Sequence, residues 1–164
     1  MLYISYRGIY DGTNYEDANT PSQLGKAMGM GFSCMIDIWK VDDKFYLGSD
    51  QPLTEVTEKY IQGNRWWINA RNTAMQNWLP TQNQKLYPNW FYFTTPTPPP
   101  PYVTASNGKL ITPGTVPIYN DSVIFLPEID DKGLFSTVHL RNYAICSTYL
   151  TFIRRIRQEG RWNY

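Results

Sequence analysis

Histidine is nearly missing from this chain: His139 is the only one in 164 residues, so a pair of imidazoles trading a proton cannot be assembled within it. Cysteine is almost as scarce. Cys34 and Cys146 each lie inside an apolar run that reads as a strand, which points to buried, reduced thiols rather than a disulfide framework or a metal knuckle, and so to a reducing compartment. No charge of one sign dominates. Fifteen Lys and Arg stand against fourteen Asp and Glu, a net charge of +1, leaving no broad field to attract nucleic acid or anionic lipid. No apolar run approaches bilayer length, so no membrane insertion is expected. The start, Met1-Leu2-Tyr3-Ile4-Ser5-Tyr6-Arg7-Gly8, lacks the basic end, long apolar stretch and small-residue cleavage site of a signal peptide. The expected location is the cytoplasm or a particle assembled inside the cell.

What is present is a folding composition. Hydrophobic residues make up 42% of the chain and charged ones only 18%, which excludes a disordered tail and fits one domain over residues 1–164. Aromatic residues reach 16%, concentrating contact area in rigid side chains suited to interfaces.

Strand and helix signals alternate through the first half, as in parallel sheets built from βαβ units. Leu2 to Tyr6 reads as a strand. Thr20 and Pro21 offer an N-cap and a first-turn proline for a helix with Leu24, Ala27 and Met28 on its apolar stripe, ending at Gly29 and Gly31. Phe32 to Trp39 reads as a strand buried on both faces, and Asp42-Asp43-Lys44 turns it into Phe45-Tyr46-Leu47. Thr54 is expected to cap a second helix carrying Val56, Tyr60 and Ile61, with Arg65 to Asn69 returning as a strand. Asn72 to Leu79 suits a third helix stopped by Pro80, and Asn89 to Phe93 a further strand. Beyond it the proline-rich stretch 94–101 is neither helix nor central strand. Tyr102 to Thr104 and Lys109 to Ile111 read as a hairpin around Asn107-Gly108, and Val123 to Leu126 and Tyr143 to Cys146 as strands. A last helix over 148–159 is expected to present Tyr149, Phe152, Ile153 and Ile156 on one face and Arg154, Arg155 and Arg157 away from it.

Several strand ends carry short motifs in a specific order: Tyr6-Arg7-Gly8 with Asn19-Thr20, Met35-Ile36-Asp37-Ile38-Trp39, Leu47-Gly48-Ser49-Asp50, Ile68-Asn69-Ala70-Arg71-Asn72, Leu126-Pro127-Glu128 and Ile145-Cys146-Ser147. In order and spacing this set resembles small members of the glycerophosphodiester phosphodiesterase and phospholipase-C-like barrel superfamily. There the corresponding motifs are typically His-Arg-Gly, Glu-x-Asp, Gly-His-Asp, a His- or Lys-bearing strand and a later Pro-Glu. The resemblance implies an α/β fold, a TIM-like (β/α) barrel with its site at the C-terminal strand ends. At this length the barrel is expected to be reduced and irregular, with helices short or missing in the second half.

The resemblance also implies two histidines working as base and acid on a phosphodiester, with a carboxylate-held divalent cation. This sequence departs at those places. Tyr6 and Ser49 stand at the two histidine positions, Asn69 where relatives often carry another, and Met35 in place of the first metal carboxylate, leaving Asp37 and Glu128 as the only ligands the pattern retains. A phenol, an alcohol and a thioether can replace neither a neutral-pH proton carrier nor a hard-cation ligand. No catalytic residue, cofactor or resident metal is therefore expected, and His139 is expected at the surface. The retained Arg7, Asp37, Asp50, Arg71, Asn72 and Glu128, with Met35 among them, form a vestigial pocket open to two readings. The guanidinium groups can hold a phosphate-containing ligand, or Arg7 can pair with Asp37 or Glu128 and need no ligand.

The expected function is thus a catalytically inactive phosphodiesterase-like module with a structural or binding role, as a subunit of a larger assembly such as a virion. Its expected partners are other protein subunits, with the stiff prolines Pro98, Pro99, Pro100 and Pro101 and the terminal Trp162 and Tyr164 as interface candidates; the prolines can equally pack over the chain's own barrel mouth, and the terminal aromatics can fold back. Two alternatives remain: a phosphodiesterase with an altered site, in which Asp37, Asp50 and Glu128 hold a metal-bound water, and a phosphate- or sugar-binding domain without turnover.

Overall fold

The computed structural model of the chain describes residues 1–93, 103–113, 121–126 and 143–159. Among these the backbone forms ten strands and three α-helices: β1 (Leu2–Tyr6), α1 (Pro21–Gly29), β2 (Ser33–Val41), β3 (Lys44–Leu47), β4 (Thr54–Val56), β5 (Trp66–Ala70), α2 (Thr73–Trp78), β6 (Trp90–Phe91), β7 (Val103–Thr104), β8 (Leu110–Pro113), β9 (Val123–Phe125), β10 (Ala144–Ser147) and α3 (Leu150–Gln158). The proline stretch through Pro98–Pro101, Glu128, His139, Trp162 and Tyr164 lie outside the described residues.

All ten strands join one mixed sheet in the order β4-β3-β2-β1-β10-β9-β8-β7, with β5 paired to the other edge of β2 and carrying β6. Strands β1, β2, β5, β6, β8, β9 and β10 run parallel to one another, while β3, β4 and β7 are antiparallel to their neighbours. The expected (β/α) barrel is not what forms. Among the described residues helices do not alternate regularly with the strands, and β6 and β7 share no ladder, so the sheet is not closed. The cause is local. At Asp42-Asp43 the chain turns straight back, without a crossover helix, and lays β3 against the C-terminal half of β2, pairing Ile38 with Leu47 and Val41 with Lys44. A second tight turn at Asn107-Gly108 returns β7 as β8, pairing Val103 with Ile111.

Alternation along the strands sorts side chains onto two faces. Cys34, Ile36 and Ile38 of β2, with Trp66, Ile68 and Ala70 of β5, bury against Leu24 and Ala27 of α1 and Met75 of α2. The intervening Met35 and Trp67 point the other way, into a layer with Ile4, Phe91, Ile111, Val123, Ala144 and Cys146. Met35 is thus core packing material, placed in the apolar layer by the pleat. Burying each large side chain of these layers contributes roughly 1.5–3 kcal/mol.

Helix signals hold where capping chemistry is explicit. Thr20 Oγ1 accepts from the Gln23 amide and Pro21 opens α1; Asn72 Oδ1 accepts from the Met75 amide and opens α2. The helix expected from Thr54 is corrected: Thr54–Val56 is the edge strand β4, zipped to β3, and only a 3-10 turn over Glu58–Ile61 follows, capped by Thr57. The last helix also turns differently from the expected face. Leu150 and Ile153 pack against Phe32, Ile124 and Ile145, leaving Tyr149 and Phe152 more than a third exposed.

Candidate functional site

Strand β2 is longer than any one neighbour, and that mismatch creates the site. Along one edge it pairs with β5 from Cys34 to Ile38. Along the other, β1 covers Ser33 to Met35 and β3 covers Ile38 to Val41. The strands β1 and β3 therefore run toward each other on the same edge and stop on either side of Asp37. Chain leaves both ends, at Arg7 and at Gly48, and the two loops enclose a cavity of about 440 Å³.

The gap between the strands is bridged by a side chain. Asn19 donates from Nδ2 to the Asp37 carbonyl at 3.0 Å and accepts from the Asp37 amide at Oδ1 at 3.2 Å, so its carboxamide occupies the place of a strand residue in the ladder. The loop that delivers it is pinned at both ends. Arg7 donates its amide to Met35 and accepts from the Asn19 amide at 2.7 Å, and both residues are left-handed, with φ of 55° and 62°. Asparagine tolerates that region well, whereas a long side chain such as arginine adopts it at some cost. On the facing loop, a Cβ at Gly48 would lie 1.8 Å from the Gln51 carbonyl oxygen, so only glycine fits this turn.

Behind the Arg7 side chain, Asp37 is fully buried and lies beside Asn69, which donates to its Oδ1 at 2.7 Å. Arg7 Nε sits 2.7 Å from the other oxygen, Oδ2, in a close ion pair. Neither Nε nor Oδ2 has an aligned hydrogen bond among the described residues, so this contact is chiefly coulombic. Arg7 is the less buried partner, with 21% of its side chain exposed and its guanidinium 4.6 Å from the Tyr6 ring centroid. Burial pushes the Asp37 carboxyl above its ordinary pKa, opposed by the Arg7 charge and the Asn69 hydrogen bond, with Arg71 adding to the opposition. Burial likewise pushes the Tyr6 phenol up to about 12, so at neutral pH it is a protonated donor and a very weak base.

The structure brings some of the sequence-derived residues together and separates others. Tyr6, Arg7, Ser49 and Asp50 line the cavity, while Asp37 and Asn69 are absent from its wall and connect to it through Arg7, which pairs with Asp37 as Asn69 bonds that carboxylate. Arg71 acts on Asp37 through its charge but packs 5.8 Å from the Trp39 ring centroid and is absent from the cavity wall. Asn72 clamps backbone instead: besides capping α2 it accepts from the Lys40 amide and donates to the Lys40 carbonyl at 2.7 Å. Sequence reasoning placed Asn19 in a motif with Tyr6-Arg7-Gly8 but gave it no site role, and it missed Tyr15, Glu16, Gln51 and Leu53 of the two loops. Asn19 carried a usable signal, an asparagine directly before the Thr20-Pro21 helix start, where a left-handed residue can redirect the chain.

Among the described residues no three His, Cys, Asp or Glu side chains are grouped to hold a metal ion. Both oxygens of Asp37 are engaged by Asn69 and Arg7. The cavity is bordered by Arg7, by the hydroxyl-bearing Tyr6, Tyr15, Ser49 and Thr54, and by the carboxylates Glu16 and Asp50. The Asn19 and Thr20 amides, the Asn19 Nδ2 and the Thr20 hydroxyl are already engaged by Arg7, Asp17 and Asp37, so the Arg7 guanidinium is the group of this set suited to an oxyanion. Compared with known proteins, the chain matches no family model, no curated protein and no solved structure.

Proposed function

We propose that this chain is a binding module without hydrolytic turnover, and that the cavity between the facing ends of β1 and β3 receives the phosphate group of a small ligand. The observation that carries this reading is the state of Arg7: its Nε is tied to a buried carboxylate while the side chain borders a cavity of about 440 Å³. A guanidinium held through one nitrogen keeps its two terminal nitrogens for a second, planar contact with an oxyanion. Thr20, the N-cap of α1, borders the same space, so the positive end of the helix dipole lies next to it. Glu16 and Asp50 also border the cavity but are exposed, where solvent screens them more than the partly buried arginine.

Turnover would need a proton carrier near neutrality, and the residues bordering the cavity include no imidazole or thiol: their titratable side chains are the Arg7 guanidinium, the Tyr6 and Tyr15 phenols and the exposed carboxylates of Glu16 and Asp50. The test has two arms. Inorganic phosphate or glycerol phosphate should raise the melting temperature by mass action, and Arg7→Ala should abolish that rise. Hydrolysis of bis(4-nitrophenyl) phosphate with Mg²⁺, Ca²⁺ or Mn²⁺ should stay at background; activity that disappears in Asp37→Ala would overturn the reading in favour of a metal-dependent phosphodiesterase.

A second reading, membership of a larger assembly, is favoured by the aromatics left at the surface. Tyr92, Phe93, Tyr149 and Phe152 are each 37–41% exposed, and rigid aromatic area is typical of protein interfaces.

A further inference from the structure

The buried carboxylate behind Arg7 is well placed to act through its neighbour. We propose that Asp37 is a positioning residue: held by Asn69 and by the Asn19 clamp on its backbone, it fixes the Arg7 guanidinium in the orientation that receives an oxyanion. This rests on the reading of the cavity as a phosphate site.

Three observations converge on it. Asp37 cannot move, because its backbone is bonded on both polar atoms to Asn19 and its Oδ1 to Asn69. Arg7 departs from the sheet with a left-handed backbone, and the amide bond to Met35 ties its main chain down. Its long side chain would otherwise sample many rotamers, and their loss would oppose binding. The 2.7 Å ion pair of Nε with Oδ2 holds that end of the guanidinium against the buried carboxylate, and the Tyr6 ring lying 4.6 Å from its centre limits how the fork can turn. The ordering cost is therefore met on folding, before any ligand arrives.

Charge and position make opposite predictions here, which makes the idea testable. Asp37 is an anion close to the proposed anion site, so by Coulomb's law alone its neutralisation should tighten phosphate binding. Positioning requires the reverse. In Asp37→Asn, with its fold confirmed by circular dichroism, the dissociation constant for inorganic phosphate measured by calorimetry should rise roughly tenfold, as Arg7 loses the ion pair that orders it. The Arg7→Ala/Asp37→Asn double variant should bind no more weakly than Arg7→Ala alone, because the two act as a unit. Equal or tighter binding by Asp37→Asn, or additive losses, would overturn the proposal. If Asp37→Asn fails to fold, Asn69→Ala releases the same carboxylate and should weaken binding in the same direction; unchanged binding would overturn it equally. A separate readout is the Arg7 Nε–H signal in ¹H–¹⁵N spectra of the free protein. It should exchange slowly with water in the wild type and quickly in Asp37→Asn. Wild type that binds no phosphate yet shows this difference defeats the ligand reading and leaves the anchoring of Arg7 intact; an Nε–H signal indifferent to Asp37→Asn defeats the anchoring itself.

Discussion

Asp37 shows how one residue can serve a site at a cost to stability. Its carboxyl lies among β2, β5 and the Arg7 loop with no exposure to water, and burial outweighs the stabilising charges to leave its pKa raised. A carboxyl whose folded value exceeds its unfolded value of about 4 binds its proton more tightly in the folded state. The stability it contributes is complete below that unfolded value and is lost as pH rises through the folded one. Urea unfolding of wild type and Asp37→Asn between pH 4 and 7 should therefore show the wild type losing stability relative to the variant as pH rises. A difference independent of pH would mean that the carboxyl has the same proton affinity in both states. The pairing of Arg7 with Asp37 was legible as one of two readings of the sequence, because two inward charges of opposite sign must meet something. Which reading holds depends on Asn19 and on where β1 stops, and those follow from pairings distant in sequence.

The elements differ in how firmly their ends are tied. The Thr20 hydroxyl accepts from the Gln23 amide at 3.3 Å and donates to the Asp17 carbonyl at 2.8 Å, contacts within or next to α1. Asn72 caps α2 and also holds both polar atoms of Lys40 on β2, joining helix to sheet. Thr20→Ala should cost about 1 kcal/mol, an ordinary cap, whereas Asn72→Ala should cost about 2 kcal/mol or more because it also orphans groups on a strand. Denaturant midpoints of the two variants give the comparison, and an equal loss would show that the Lys40 bonds add little. Both caps could be read from the sequence, since each helix opens on a residue with a short polar side chain. Thr54 misled for the same reason: Thr57, three residues on, offers the same chemistry, and the ladder to β3 claims Thr54–Val56 first. Capping residues mark where a helix could start; pairing decides which of them is used.

For the whole molecule, motif order resembled a barrel family while the connections made an open mixed sheet. Motifs report which residues end strands, and those were largely right: β1, β2, β3, β5 and β10 lie where expected. Closure depends on what lies between strands, and two tight turns in place of crossovers direct β3 and β7 backward. No helix among the described residues is long and apolar enough to cross a membrane. The surface aromatics belong to this scale too. If they meet other subunits, size-exclusion with light scattering should give a mass above the 19.1 kDa of one chain, falling toward it in a Tyr149→Ser/Phe152→Ser variant. A concentration-independent monomer that captures no partner would remove the assembly reading.

The carboxamide of Asn19 has an effect on how this region could change over time. Because a single side chain, and not a run of backbone, completes the ladder beside Asp37, exchanging that one group would open the edge of β2 there, while every strand pairing and the backbone bonds from Arg7 to Met35 and from Gly12 to Thr148 stayed in place. The enclosure could then be reshaped, enlarged or abandoned by substitutions at one locus, with the scaffold beneath left free to carry a different one.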